Sequence, residues 1–164
     1  MSRFISVDGL KVHFKHTGKG TPVVLLHGGG NDWHEWAENL DALAQVSEVF
    51  ALDFPGFGLS DAPQDPIHPS WMISFIKEFT DAVGLKKISL VGQSLGGMIS
   101  AAFALEYPER VKKLVLVDSA GLGKVSWTGS IIFQFFVALD HLSGRQRGPR
   151  YLPGTAPELP VVGR

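Results

Sequence analysis

The segment Gly92-Gln93-Ser94-Leu95-Gly96 follows the apolar run Ile88-Ser89-Leu90-Val91 and leads into a helix-forming stretch. A serine on a tight strand-to-helix turn leaves no room for side chains beside it, so glycines flank it, and its hydroxyl stands clear at a helix N-terminus. Such a hydroxyl can attack a carbonyl, and the N–H of Leu95 then points at the oxyanion that forms. A second glycine-rich segment, His27-Gly28-Gly29-Gly30, follows the aliphatic run Val23-Val24-Leu25-Leu26. Its glycines let backbone approach a substrate and leave amides of Gly28, Gly29 and Gly30 as further candidate donors. A glycine-rich turn can also hold a phosphate or dinucleotide, which makes a nucleotide-binding domain the alternative. That reading is weak here. Ser94 stands where the second glycine of G-x-G-x-x-G belongs, and no Lys-Ser/Thr follows as in a phosphate loop.

These turns need strands beneath them. Short apolar runs predict strands at about 3–8, 10–17, 22–26, 47–53, 86–91 and 113–118, with helical period between them. Val23–Leu26 and Leu114–Val117 are continuous aliphatic runs, as in parallel strands covered by helices on both faces. Lys11-Val12-His13-Phe14-Lys15 alternates instead, which predicts a half-exposed antiparallel strand near the sheet edge. A helix is expected over Trp71–Val83, closed by Gly84, and another from Ser94 to Leu105, stopped by Pro108. The fold class is α/β with a mostly parallel sheet and flanking helices.

The chain has 164 residues, a formal net charge of -1 and no cysteine. One globular unit fits that length, and a near-neutral balance excludes a general nucleic-acid binder. The pairs Lys86–Lys87 and Lys112–Lys113 read as solvated strand entrances. Without cysteine there is no disulfide scaffold, Cys-ligated zinc or thiol nucleophile, and a reducing cytoplasm is compatible. No secretory leader pattern is visible at the N-terminus, and the most apolar run, Ile131–Leu139, is too short to span a bilayer. No metal, cofactor, nucleic-acid or membrane partner is implied, and no histidine and carboxylate spacing suggests a metal site.

The order His27-Gly28-Gly29-Gly30, Asp53-Phe54-Pro55-Gly56-Phe57-Gly58-Leu59-Ser60-Asp61, Gly92-Gln93-Ser94-Leu95-Gly96-Gly97 and Val115-Leu116-Val117-Asp118 resembles the α/β-hydrolase fold family over about residues 3–123. The resemblance implies an eight-stranded sheet with Ser94 as nucleophile after the fifth strand. It also implies oxyanion amides on Leu95 and on the loop after His27-Gly28, Gly29 foremost. Serine at the elbow, where relatives that open epoxides or remove halogens carry aspartate, implies an acyl-enzyme formed from a small ester or related carbonyl substrate, C–C bond hydrolysis included. The family order of serine, acid, histidine places both partners downstream of Ser94. Asp118, after the sixth strand, is the acid candidate, with a turn-capping role as the plainer reading. His141, the one downstream histidine, has no Gly-His loop after a strand. His13, His16, His34 and His68 read as surface or edge residues, while His27 braces its own loop and Asp53 belongs to a structural loop. Trp33, His34 and Trp36 read as a helix N-terminus with aromatic packing, ahead of a pocket lining. Residues 1–120 are thus expected to form the N-terminal part of the core, 121–142 the start of a lid, and 143–164 a disordered Gly/Pro/Arg-rich tail. The resemblance stops inside the lid, which suggests a truncated or frame-shifted copy of a serine hydrolase. The competing reading is a catalytically incomplete fragment that keeps the elbow and lacks the triad histidine.

Overall fold

Aliphatic residues in unbroken series favour a strand buried on both faces, and Thr21–Leu26 (β3) shows the consequence. Val24 and Leu26 pack into one layer, Val23 and Leu25 into the other, because successive side chains leave opposite faces. The computed structural model describes residues 1–122. The expected lid from 123 onward, the tail 143–164 and His141 lie outside the described residues.

The other strands are Ser2–Val7 (β1), Leu10–Gly18 (β2), Ser47–Leu52 (β4), Ile88–Gln93 (β5) and Val111–Val117 (β6). They form one sheet in the order β1-β2-β4-β3-β5-β6. The pairs β1/β2 and β2/β4 are antiparallel, and β4/β3, β3/β5 and β5/β6 are parallel. The mostly parallel sheet is as expected, with β2 antiparallel and next to the edge.

Helices Ala37–Ala44 (α1), Pro69–Ala82 (α2) and Leu95–Glu106 (α3) complete the layers. The larger core lies on the α2 and α3 side, where Met72, Phe75, Ile76, Phe79, Ile99 and Phe103 meet Leu26, Leu52 and Leu90. A thinner layer joins Val23, Leu25, Val49 and Ala51 to Trp36. The sequence marks a helix N-terminus at Trp33–Trp36 but not the bounds of α1, since eight residues with Leu40 and Leu43 as the larger apolar side chains carry little periodic signal.

Four expectations need correction. β5 starts two residues later than predicted and runs to Gln93, because Lys86 and Lys87 sit in a bend before it. Lys112 and Lys113 are exposed but lie inside β6, not at its entrance. Among the described residues β6 pairs only with β5 and is not covered on both faces, with Val115 and Val117 49% and 39% exposed. His13 is no surface residue. Val12 and Phe14 enter the large core, so His13 faces the thinner layer, where Phe4 lies over it and Asp53 takes its Nδ1 at 2.7 Å.

Candidate active site

The elbow forms because α3 approaches β5 and the end of β3 too closely for side chains between them. A Cβ at Gly92 would collide with the carbonyl of Gly96, and one at Gly96 with the carbonyls of Leu26 and His27. Ser94 between them adopts φ 47° and ψ -111°, a conformation that costs an L residue roughly 1–3 kcal/mol. Backbone bonds hold it there. The Ser94 N–H donates to Val117 O at 3.0 Å, and its carbonyl accepts from Met98 N at 3.1 Å and Ala120 N at 3.0 Å. Ser94 is half-buried, and its hydroxyl makes no cap bond to the helix it begins.

The glycine loop lies against this turn. A Cβ on Gly28 would come 3.5 Å from Ser94 Cβ, and one on Gly29 would touch Leu95 at 3.8 Å. Ser94, Leu95, Gly28 and Gly29 are therefore brought together. Among the described residues the amides of Leu95 and Gly29 take no hydrogen bond within the protein. The Gly28 amide, counted in the sequence with the free donors, does: it donates to Glu35 Oε2 at 2.7 Å. Gly28 is buried, whereas Gly29 and Gly30 are exposed.

His27 anchors the loop from beneath. Its ring Nδ1 donates to Gly28 O at 2.7 Å, and its Nε2 accepts the Phe54 N–H at 3.0 Å. That pair of bonds requires the neutral tautomer protonated at Nδ1. Burial lowers the imidazole below its ordinary pKa, outweighing the Gly28 carbonyl and the Asp53, Glu35 and Asp32 carboxylates that pull the other way. His27 is thus a brace with both ring nitrogens engaged.

Glu35 is carried by a short helical turn, Trp33–Trp36, capped by Asp32, whose Oδ1 accepts from His34 N at 2.8 Å. Burial disfavours the Asp32 carboxylate, yet the His34 amide and ring outweigh it and hold the carboxyl below its usual range. This is the expected helix N-terminus with aromatic packing. The turn is tied to the sheet through Trp33 N–H on Asp53 Oδ1 at 2.7 Å. Asp53 is fully buried and its Oδ2 also accepts from Leu59 N at 3.0 Å, as befits a structural loop.

Asp118 follows β6 directly, is exposed, and has φ 44°. Of the six histidines, five are described. His13 pairs with Asp53, His16 with Glu48, His34 with Asp32, His27 with the loop, and His68 precedes α2. Among the described residues no histidine is hydrogen-bonded to Ser94 or Asp118. Nor is any group of three His, Asp or Glu residues arranged to hold a metal ion among them, and no described helix is long and apolar enough to cross a membrane. Glu35 is the site residue that the sequence did not reveal, since a glutamate seven positions after a glycine has no motif.

A strained serine between β5 and α3, beside a glycine loop after β3, defines an α/β-hydrolase site. The sequence profile of the alpha/beta hydrolase fold matches residues 21–152, and the chain belongs to that family. It is similar to the 2-hydroxy-6-oxo-2,4-heptadienoate hydrolase of Pseudomonas putida, 35% identical over 128 residues that cover 74% of this chain and 46% of the relative. It is also similar to the dihydrolipoyllysine-residue acetyltransferase component of the acetoin cleaving system of Cupriavidus necator, 38% identical over 74% of this chain and 33% of the relative. Among solved structures, a meta-cleavage product hydrolase superposes with a TM-score of 0.71 at 32% identity, over 74% of this chain and 46% of that one. A Bacillus megaterium epoxide hydrolase superposes with a TM-score of 0.69 at 28% identity, over 71% and 42%. The chain spans less than half the length of these curated relatives.

Proposed function

We propose that this site hydrolyses a small ester or related carbonyl compound, C–C bond cleavage included, through an acyl-enzyme on Ser94. Ser94 Oγ bonds to the carbonyl carbon as its proton leaves, and the amides of Leu95 and Gly29 receive the oxyanion. The scissile C–O or C–C bond then breaks, the leaving group takes the proton that Ser94 gave up, and water adds to the acyl carbon, its OH leaving in the acid and its other hydrogen restoring the hydroxyl. The observation that carries this reading is the strained Ser94 turn beside two uncommitted amides. The meta-cleavage hydrolases among the relatives favour the C–C variant of the substrate. Asp118 is retained as the acid of the reading. It lies one residue past the Val117 carbonyl that holds the Ser94 amide.

A second reading, a catalytically incomplete fragment, has a specific observation behind it: all five described histidines stand elsewhere, so among the described residues Ser94 has no activating histidine. Hydrolysis of a p-nitrophenyl ester by the chain and by Ser94→Ala separates the two. The acyl-enzyme reading expects the variant to lose about tenfold or more of the rate above buffer. Equal rates would leave only the unactivated elbow.

A further inference from the structure

Glycine turns about its backbone at little cost, so a loop of three glycines has no intrinsic reason to aim any one amide. In this chain the Gly28 residue is fixed on both sides. Its N–H is held by Glu35 Oε2 at 2.7 Å, and its C=O by the His27 ring at 2.7 Å and by Asn31 N at 3.3 Å. The Gly28 carbonyl and the Gly29 N–H belong to one planar trans peptide, so fixing the first sets the direction of the second. Glu35 is itself anchored: its turn is capped by Asp32, tied through Trp33 to buried Asp53, and followed by Trp36, 8% exposed in the thinner core.

We propose that Glu35 is a positioning residue that, with His27, clamps Gly28 so that the Gly29 amide is presented beside Leu95 as an oxyanion donor. This rests on the Ser94 reading for its catalytic consequence, while the clamp is a property of the loop alone. What Glu35 supplies is an acceptor oxygen, not a charge at the reacting carbon. Gln in its place keeps the acceptor, and Ala removes it.

Amide hydrogen exchange by NMR on the full chain, with Glu35→Ala and Glu35→Gln beside the wild type, tests the clamp without any activity. In Glu35→Ala the Gly28 amide exchanges about tenfold faster while core amides such as Leu25 and Leu52 keep their rates; Glu35→Gln stays near wild type. If Ser94 hydrolyses the ester, Glu35→Ala loses about tenfold in kcat at unchanged KM, and Glu35→Gln restores it. Unchanged Gly28 exchange in Glu35→Ala, or a Glu35→Gln variant as impaired as Glu35→Ala, overturns the proposal. Should Glu35→Ala fail to fold, Glu35→Leu, which fills the space without an acceptor, decides: its Gly28 amide exchanges about tenfold faster than in Glu35→Gln, and equal rates in the two variants refute the clamp. A Ser94→Ala protein as active as the wild type removes the acyl-enzyme reading and leaves the clamp to the exchange data.

Discussion

A neutral His27 is a condition of the loop's geometry, because the imidazolium cannot accept the Phe54 N–H that its Nε2 now takes. Burial disfavours the charged ring, so its folded pKa lies below the ordinary value. The unfolded chain then binds a proton that the folded chain refuses, and stability rises with pH across that interval. The contribution is complete above about pH 6.5 and is lost as the pH falls from there toward the lowered folded value. Urea midpoints at pH 7.5, 6.5 and 5.5, read as free energies, should fall with a slope approaching about 1.4 kcal/mol per unit from this group. A His27→Asn variant should be less stable at the highest pH and show a shallower decline. Parallel curves for the two proteins would show that His27 does not carry the dependence.

Between elements, Asp53 is the junction. Its carboxylate accepts from His13 on β2, from Trp33 on the turn that carries Glu35, and from Leu59 in its own loop, while Ser60 Oγ closes on its carbonyl at 2.8 Å. Asp53→Ala strands the buried His13 ring and two part-buried amides together, and a loss of about 3–5 kcal/mol in chemical denaturation is expected. A loss below about 1 kcal/mol would mean that the loop is held by other contacts. This junction also marks how far the sequence was legible. β3, β5 and the elbow could be read directly, because aliphatic runs and the glycines around Ser94 act over a few neighbouring residues. His13 was misplaced because its fate is set by Asp53, 40 positions away, and by the way β2 pairs with β4. Glu35 went unnoticed for a related reason: a hydrogen bond to a backbone amide leaves no periodic trace. Burial and hydrogen bonding across the sheet are properties of topology, and alternation along one strand does not encode them.

For the molecule as a whole, two nearly identical aliphatic runs meet different environments. β3 lies between β4 and β5, and its four residues from Val23 to Leu26 are buried; β6 pairs only with β5 among the described residues. Through the β5/β6 register, Val115 shares a face with Val91 on the side away from the larger core. Among the described residues that face and the unpaired backbone of β6 form a template for association with other chains. Charge on an edge strand opposes such pairing, because association would have to desolvate it. Val115→Lys should therefore reduce concentration-dependent association in sedimentation velocity. Since Val115 is already about half exposed, the cost in Tm should stay within about 2–4 °C. Undiminished association in that variant would place the sticky surface elsewhere. A large drop in Tm would show instead that Val115 is packed in solution, contrary to its exposure here.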